Sequence, residues 1–207
     1  MTCVGAVVYN SEMYYIVALG NPGKEYELTR HNVGFLALDY LVEALGLPKP
    51  TKNSIYNGRL STGMIGQTPV SLLYPDTFMN HSGLAVKKLL SKAEASNLLL
   101  LYDDVSLPFG QIKLSFSRGA GGHNGVGSVI DALGTKDFIR LRIGIAPKSF
   151  WTGKTKILTG AELPRFVLSK FSKSELTQLN EDVLVRVQQA ICLTLKEGYV
   201  QAMNKYN

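Results

Sequence analysis

Three histidines are all that the 207 residues supply, and each stands beside an asparagine with glycine close by. They lie in Arg30-His31-Asn32-Val33-Gly34, Asn80-His81-Ser82-Gly83 and Gly122-His123-Asn124-Gly125. Imidazole exchanges a proton near neutral pH without help. An asparagine amide donates and accepts hydrogen bonds at no net charge. Glycine lets backbone turn sharply and approach a substrate closely. Glycine-rich turns favour asparagine in any case, which would account for one such site. Three in one chain point to a base held beside a polar substrate.

A nucleophile to go with that base is missing. The chain has no Gly-x-Ser-x-Gly elbow, and neither Cys3 nor Cys192 lies near a histidine motif. Water is then the expected attacking group, with asparagine amides or backbone N–H groups holding the developing oxyanion. A carboxylate such as Asp103 could fix the His31 tautomer and stabilise its cation; a simple turn or cap residue is the alternative reading of Asp103. Gly20-x-x-Gly23 lacks the full dinucleotide fingerprint, and Pro22 removes an N–H that a phosphate would use. No His-x-x-x-His or Cys-x-x-Cys occurs, so no metal site is expected.

The elements that must position these residues alternate between strand and helix. Tyr14 to Leu19 reads as a buried strand ending at Gly20. From Val33, the positions Leu36, Ala37, Tyr40, Leu41, Ala44 and Leu45 recur at helical spacing until Gly46. Thr29 is a good N-cap for that helix, which puts His31 in its first turn. The dipole there disfavours imidazolium, so His31 is expected to stay neutral. Leu47 to Asn57 reads as a loop. Strands are expected at Gly58–Ile65 and Pro69–Tyr74, then a helix from Ser82 to Ser91. The apolar strand Asn97 to Tyr102 runs into Asp103-Asp104, and Gln111 to Phe116 alternates as a strand. A glycine-rich loop spans Gly119 to Gly127, followed by a short helix Ser128–Leu133 and a strand Arg140 to Ala146. Lys173 to Lys196 reads as a long amphipathic helix. The motif Gly20-Asn21-Pro22-Gly23 and the pair Asp103-Asp104 are both expected just past strand ends, where open α/β sheets bind ligands.

Charge is unevenly spread. The total is +6, yet Lys113 to Lys173 holds eleven basic and three acidic residues, a net +8 that leaves −2 elsewhere. With pI near 9.2, such a block makes a nucleic acid the leading partner class. A solvated basic face is the alternative. Composition is 45% hydrophobic with a mean hydropathy of +0.06, as for a folded soluble protein. No apolar run approaches the roughly 18 residues of a membrane span, and Val4 to Val8 lacks the basic leader of a signal peptide. Two cysteines far apart suit reduced thiols in a cytoplasm.

Several of these stretches together resemble the bacterial-type peptidyl-tRNA hydrolases. They are Leu19-Gly20-Asn21-Pro22-Gly23, Tyr26, Thr29-Arg30-His31-Asn32-Val33-Gly34, Pro75-Asp76-Thr77-Phe78-Met79-Asn80-His81-Ser82-Gly83 and Asp103-Asp104. Gly121-Gly122-His123-Asn124-Gly125 and Arg140-Leu141-Arg142-Ile143-Gly144-Ile145 complete the set, in the family's order and spacing. The resemblance covers about Tyr14 to the C-terminus. It implies a single α/β domain over 14–207, built on a twisted, mostly parallel mixed sheet with helices on both faces. It also implies a monomeric cytoplasmic esterase that needs no cofactor or metal and cuts the ester between a peptide and the 3′ end of tRNA. In the family the residue matching His31 is the base, and that matching Asp103 is its partner. Those matching Asn21, Asn80 and Asn124 bind the peptide and 3′ end, while Tyr26 and Met79 match pocket positions.

Lys113, Arg118, Arg140 and Arg142 are then candidates to hold tRNA phosphates, contacts that position RNA without reading sequence. For Arg142, alternating with apolar neighbours, a structural ion pair is an equal alternative. His81 is expected to be non-catalytic, and His123 is read as a brace for its loop. Leu28 stands where the family has asparagine, and Ser115 where some members are basic, which weakens the local phosphate clamp. Residues 1–13 extend beyond the family's start, as a flexible tail or the product of an upstream start codon. A non-catalytic RNA-binding protein is the competing class. A carboxylate-backed His31 separates the two, since binding alone needs no base.

Overall fold

β1 (Tyr14–Ala18) and β5 (Leu98–Pro108) form the centre of a seven-stranded sheet in the order β2-β3-β4-β1-β5-β7-β6. The other strands are β2 (Thr51–Asn53), β3 (Gly58–Ile65), β4 (Thr68–Pro75), β6 (Ile112–Phe116) and β7 (Ile139–Ala146). The computed structural model describes residues 12–147 and 160–207. Residues 1–11 of the leading segment, with Cys3 and Val4–Val8, lie outside the described residues, as do Lys148, Lys154 and Lys156 of the basic block.

Parallel pairing is confined to the middle: β4-β1, β1-β5 and β5-β7. The β2-β3, β3-β4 and β6-β7 pairs are antiparallel. The sheet is therefore mixed, as expected: β2, β4, β1, β5 and β7 run one way and β3 and β6 the other. Leu98, Leu99, Leu100 and Leu101 are all fully buried, as a central strand covered on both faces must be. Each such side chain contributes about 1.5–3 kcal/mol relative to exposure.

Helices cover both faces. One face packs α1 (Val33–Ala44), α6 (Leu184–Glu197) and α7 (Tyr199–Tyr206); the other packs α2 (Ser82–Leu89) and α3 (Asn124–Leu133). In α1 the buried face is Val33, Phe35, Ala37, Leu38, Leu41 and Val42. The expected Tyr40 is only half-buried and Ala44 is exposed, because Leu38 and Val42 turn the apolar stripe toward the sheet. The long C-terminal helix forms as α5 (Lys173–Gln178) and α6, joined through a π-turn at Leu179–Val183. Ser172 and Glu175 open it with a capping box. A short α4 (Glu162–Val167) precedes it.

Three boundaries differ from expectation in ways that matter for the site. The loop Leu47 to Asn57 contains β2, three residues paired to the β3 edge. β5 does not stop at Tyr102: its pairing with β7 runs through Asp103↔Ile143 and Asp104↔Gly144, while its pairing with β1 ends at Ala18↔Leu101. Asp103 is therefore still in a strand, but one that overruns its neighbour. α3 begins at Asn124, four residues before the expected start.

Candidate active site

The overrun of β5 opens a cleft of about 1230 Å³ beyond the carboxyl end of β1, and every candidate residue singled out above contributes to its lining. His81 does not. Parallel strands part at such a point, and ligands bind there in open α/β sheets.

His31 reaches the cleft on a 3-10 turn, Arg30–Asn32, that leads into α1. The turn sits close to the sheet because Gly34 has no side chain. A Cβ there would lie 2.6 Å from the Leu19 carbonyl oxygen and 2.7 Å from that of Leu101. Thr29 is the N-cap by position but not by chemistry: its hydroxyl donates to the Tyr26 carbonyl at 2.8 Å, and no side chain caps the turn.

His31 Nδ1 lies 2.8 Å from Asp103 Oδ1, and His123 Nε2 lies 3.0 Å from the same oxygen. Asp103 is 2% exposed. Burial alone would raise its pKa, but the two imidazoles, by charge and hydrogen bond, hold it well below the usual carboxylate range. The protons can be assigned from the bonds. His123 Nδ1 accepts from the backbone N–H of Gly125 (3.1 Å) and Val126 (3.2 Å), so it carries no proton. Its Nε2–H then donates to Asp103. An ionised carboxylate only accepts, so His31 donates from Nδ1, and neutral His31 keeps the Nε2 lone pair. The rings lie 5.1 Å apart, and Tyr102 packs edge-on against His123 at 5.0 Å.

His123 is thus more than the loop brace expected of it. It caps α3 through Nδ1 and supports Asp103 through Nε2. Its loop reaches it through Gly121 (φ +60°) and Gly122 (φ +82°), a left-handed path that favours glycine. With the helix expected only from Ser128, no sequence pattern marks His123 as standing at a helix start, where an acceptor is wanted.

Asn21 is held from three sides. Its backbone N–H donates to Asn32 Oδ1 (2.8 Å), and Asn32 Nδ2 donates to its carbonyl (2.9 Å). Its own Oδ1 accepts the Met79 N–H at 2.8 Å. The Asn21 oxygen is therefore engaged by Met79, and Nδ2 is the donor it offers the cleft. Asn32, 2% exposed, is a positioning residue whose role no sequence pattern signals. Met79 is buried and Tyr26 half-buried. Asn80 is exposed, its Nδ2 3.2 Å from His81 Nε2. Asn124 is the first residue of α3 rather than part of a loop, and is exposed.

Of the four basic candidates, two are committed inside the protein. Arg140 is 0% exposed and donates to the carbonyls of Gly119 (2.6 Å) and Arg118, with Phe138 4.6 Å beneath its guanidinium. It holds the glycine loop, and that engagement corrects its reading as a phosphate contact. Arg142 pairs with Asp104 (Nε to Oδ2, 2.6 Å) and Ser106 (3.1 Å), the structural alternative for that residue. Lys113 and Arg118 line the cleft with no ion pair among the described residues.

His31, Asp103 and His123 offer nitrogen and oxygen atoms within 4.8 Å of one another, a set that could hold a metal ion. Their 2.8 and 3.0 Å separations are hydrogen-bond lengths, and each nitrogen has a proton to donate. The geometry reads as a proton network.

A wall of apolar side chains, Leu163, Pro164, Val167 and Leu168, closes the cleft from the α4 side. An oriented base, amide groups and apolar walls together suit hydrolysis of a polar acyl compound.

Comparison with known proteins identifies the family. The family model described as peptidyl-tRNA hydrolase matches residues 15–207. The chain is 42% identical to a peptidyl-tRNA hydrolase of Desulfitobacterium hafniense, covering 94% of this chain and 100% of that one. It is 38% identical to one of Thermodesulfovibrio yellowstonii, at 94% and 99%. The crystal structure of the Acinetobacter baumannii peptidyl-tRNA hydrolase superposes with a TM-score of 0.81 at 30% identity, covering 94% of each chain. By sequence and fold alike, the chain belongs to the peptidyl-tRNA hydrolase family.

Proposed function

We propose that this protein hydrolyses the ester between a peptide and the 3′-terminal ribose of tRNA, releasing both, with water activated by His31. The observation that carries the reading is the shared Asp103 oxygen, which leaves His31 Nε2 as the free base. Water loses a proton to Nε2 as it attacks the ester carbonyl. Asp103 orients the ring and stabilises the imidazolium, and that imidazolium can return the proton to the departing ribose oxygen. Asn21 Nδ2 and the Asn124 amide are the donors available to a carbonyl or oxyanion. Asn80 serves the peptide backbone, and Tyr26 and Met79 form the pocket around it. Amide groups suit a substrate of any peptide sequence, since every peptide presents the same backbone.

Lys113 and Arg118 are the phosphate contacts for the acceptor end of the tRNA. No helix among the described residues is long and apolar enough to cross a membrane, and we take the protein to act in the cytoplasm as a monomer. A protein that only bound RNA would need the basic face and not an oriented imidazole. The test is release of N-acetyl-aminoacyl groups from tRNA by the wild type and by His31→Ala. Loss of a general base lowers the rate by about 10²–10⁴-fold. A wild type that releases nothing, or an equally active variant, would contradict the reading.

A further inference from the structure

Arg30 precedes His31 but does not line the cleft, and only 11% of its side chain is exposed. Its two terminal nitrogens are nonetheless heavily bonded, while its buried Nε has no partner among the described residues. One terminal nitrogen donates to Ser169 Oγ (2.8 Å), the Ser169 carbonyl (3.3 Å) and the Lys170 carbonyl (2.6 Å). The other donates to both oxygens of Glu175, each at 2.9 Å. Its Cζ lies 4.7 Å from the Phe166 ring centroid and 5.2 Å from that of Phe171. The backbone joins in: Arg30 N–H donates to Ser169 (3.0 Å), and Phe171 N–H to Leu28 (3.0 Å). Thr29 bridges Lys170 in antiparallel sense.

These contacts have one geometric effect. The segment that Arg30 grips follows directly from α4, whose Leu163, Pro164 and Val167 face the cleft together with Leu168. The same guanidinium is fixed to the turn that carries His31. That turn has no side-chain cap of its own. Asp103 sets how the imidazole is rotated and the close approach at Gly34 sets the height of the turn on the sheet, which leaves its placement against the cleft wall to the contacts of Arg30. We propose that Arg30 is a positioning residue for hydrolysis, tying the His31 turn to the segment Phe166–Glu175 so that base and cleft wall keep one mutual geometry.

The chemistry requires arginine. A planar fork can meet a bidentate carboxylate and backbone oxygens while stacking on rings; a lysine ammonium offers three donors from a single point. Displacements of about 1 Å at a reacting group can cost about 10²-fold in rate.

The inference rests on the esterase reading above, and its test separates the two. Arg30→Lys keeps the charge and loses the fork. Initial rates on N-acetyl-aminoacyl-tRNA are measured for this variant alone and combined with His31→Ala, with the folded fraction taken from circular-dichroism melts. The expected result is a fall in kcat of about tenfold or more with KM changed less than about twofold. In the His31→Ala background, Arg30→Lys changes the residual rate no further, because its effect passes through the imidazole. A folded Arg30→Lys with wild-type kcat, or one that loses as much again without His31, overturns the proposal. Should Arg30→Lys fail to fold, Glu175→Gln removes the ionic half of the clamp; the same split at about threefold supports the proposal, and an unchanged kcat overturns it. An inactive wild type would remove the esterase reading and this inference with it, whereas an active wild type beside an unchanged variant removes this inference alone.

Discussion

His31 and His123 present opposite ring nitrogens, Nδ1 and Nε2, to a single oxygen atom of Asp103, at 2.8 and 3.0 Å. They are therefore opposite tautomers: the backbone N–H groups that start α3 fix that of His123, and the Asp103 carboxylate, which only accepts, fixes that of His31. One carboxylate oxygen thereby joins a helix N-terminus, through His123, to the ring whose other nitrogen is the base, His31.

Asp103→Asn should leave the fold intact and lower kcat by about 10²–10⁴-fold, because a neutral amide neither enforces the Nδ1–H tautomer nor stabilises imidazolium. Steady-state kinetics beside a near-ultraviolet dichroism spectrum check this. A drop below tenfold would mean the carboxylate is only structural.

Stability should depend on pH through the same group. The folded-state pKa of Asp103 is depressed, with the imidazole partners outweighing burial. Its contribution is complete above the unfolded carboxylate value of about 4 and is lost as pH falls below that. Urea midpoints measured from pH 6 downward should decline below about pH 4, and the decline should be shallower in Asp103→Asn. Parallel curves for the two proteins would contradict the assignment.

Asn32→Ala should act on Asn21 without touching the cleft. Two buried backbone groups lose their partners, costing about 2 kcal/mol or more. KM should rise as Asn21 loosens. Asn32→Asp still accepts from the Asn21 N–H but cannot donate to its carbonyl, and should fall between. Denaturant melts and KM values for both variants rank the three proteins.

Gly34→Ala tests how tightly the catalytic turn sits on the sheet. The added methyl meets two strand carbonyl oxygens, and a forced shift costs about 3 kcal/mol. Activity should fall with stability, since His31 rides on the same turn. A variant as stable as wild type would show that the turn has room to move.

Binding of tRNA should weaken with salt, and each of Lys113→Ala and Arg118→Ala should flatten the logarithmic slope by about 0.7–0.9. Arg140→Gln should instead lower the melting temperature, because its guanidinium holds the loop carbonyls of Gly119 and Arg118. Fluorescence titrations across a salt series distinguish the two behaviours.

Much of the framework was legible because it obeys simple periodicities. β1 and β5 read as continuous apolar runs, the β3-β4 hairpin closes at Gly66 with φ +61°, and Gly46 ends α1. What escaped was tertiary in origin. β2 is three mostly exposed residues that exist only by pairing with β3. α3 starts early because a histidine ring, not a hydroxyl or carboxylate, caps it. Alternating arginines on β7 looked like a basic face, yet Arg140 is bonded to the Gly119 and Arg118 carbonyls and Arg142 is paired with Asp104. At the site, His31 and Asp103 could be named from chemistry, but no spacing reveals that a second histidine shares the same oxygen. Nor does it reveal that Arg30 reaches Glu175 across 145 positions.

The most direct measurement is nitrogen-15 NMR of histidine-labelled protein at a pH where the imidazoles are neutral. The account predicts His31 protonated at Nδ1 with a bare Nε2, and His123 protonated at Nε2 with a bare Nδ1. Neutral His31 carrying its proton on Nε2 would contradict it, for that nitrogen could then take nothing from water.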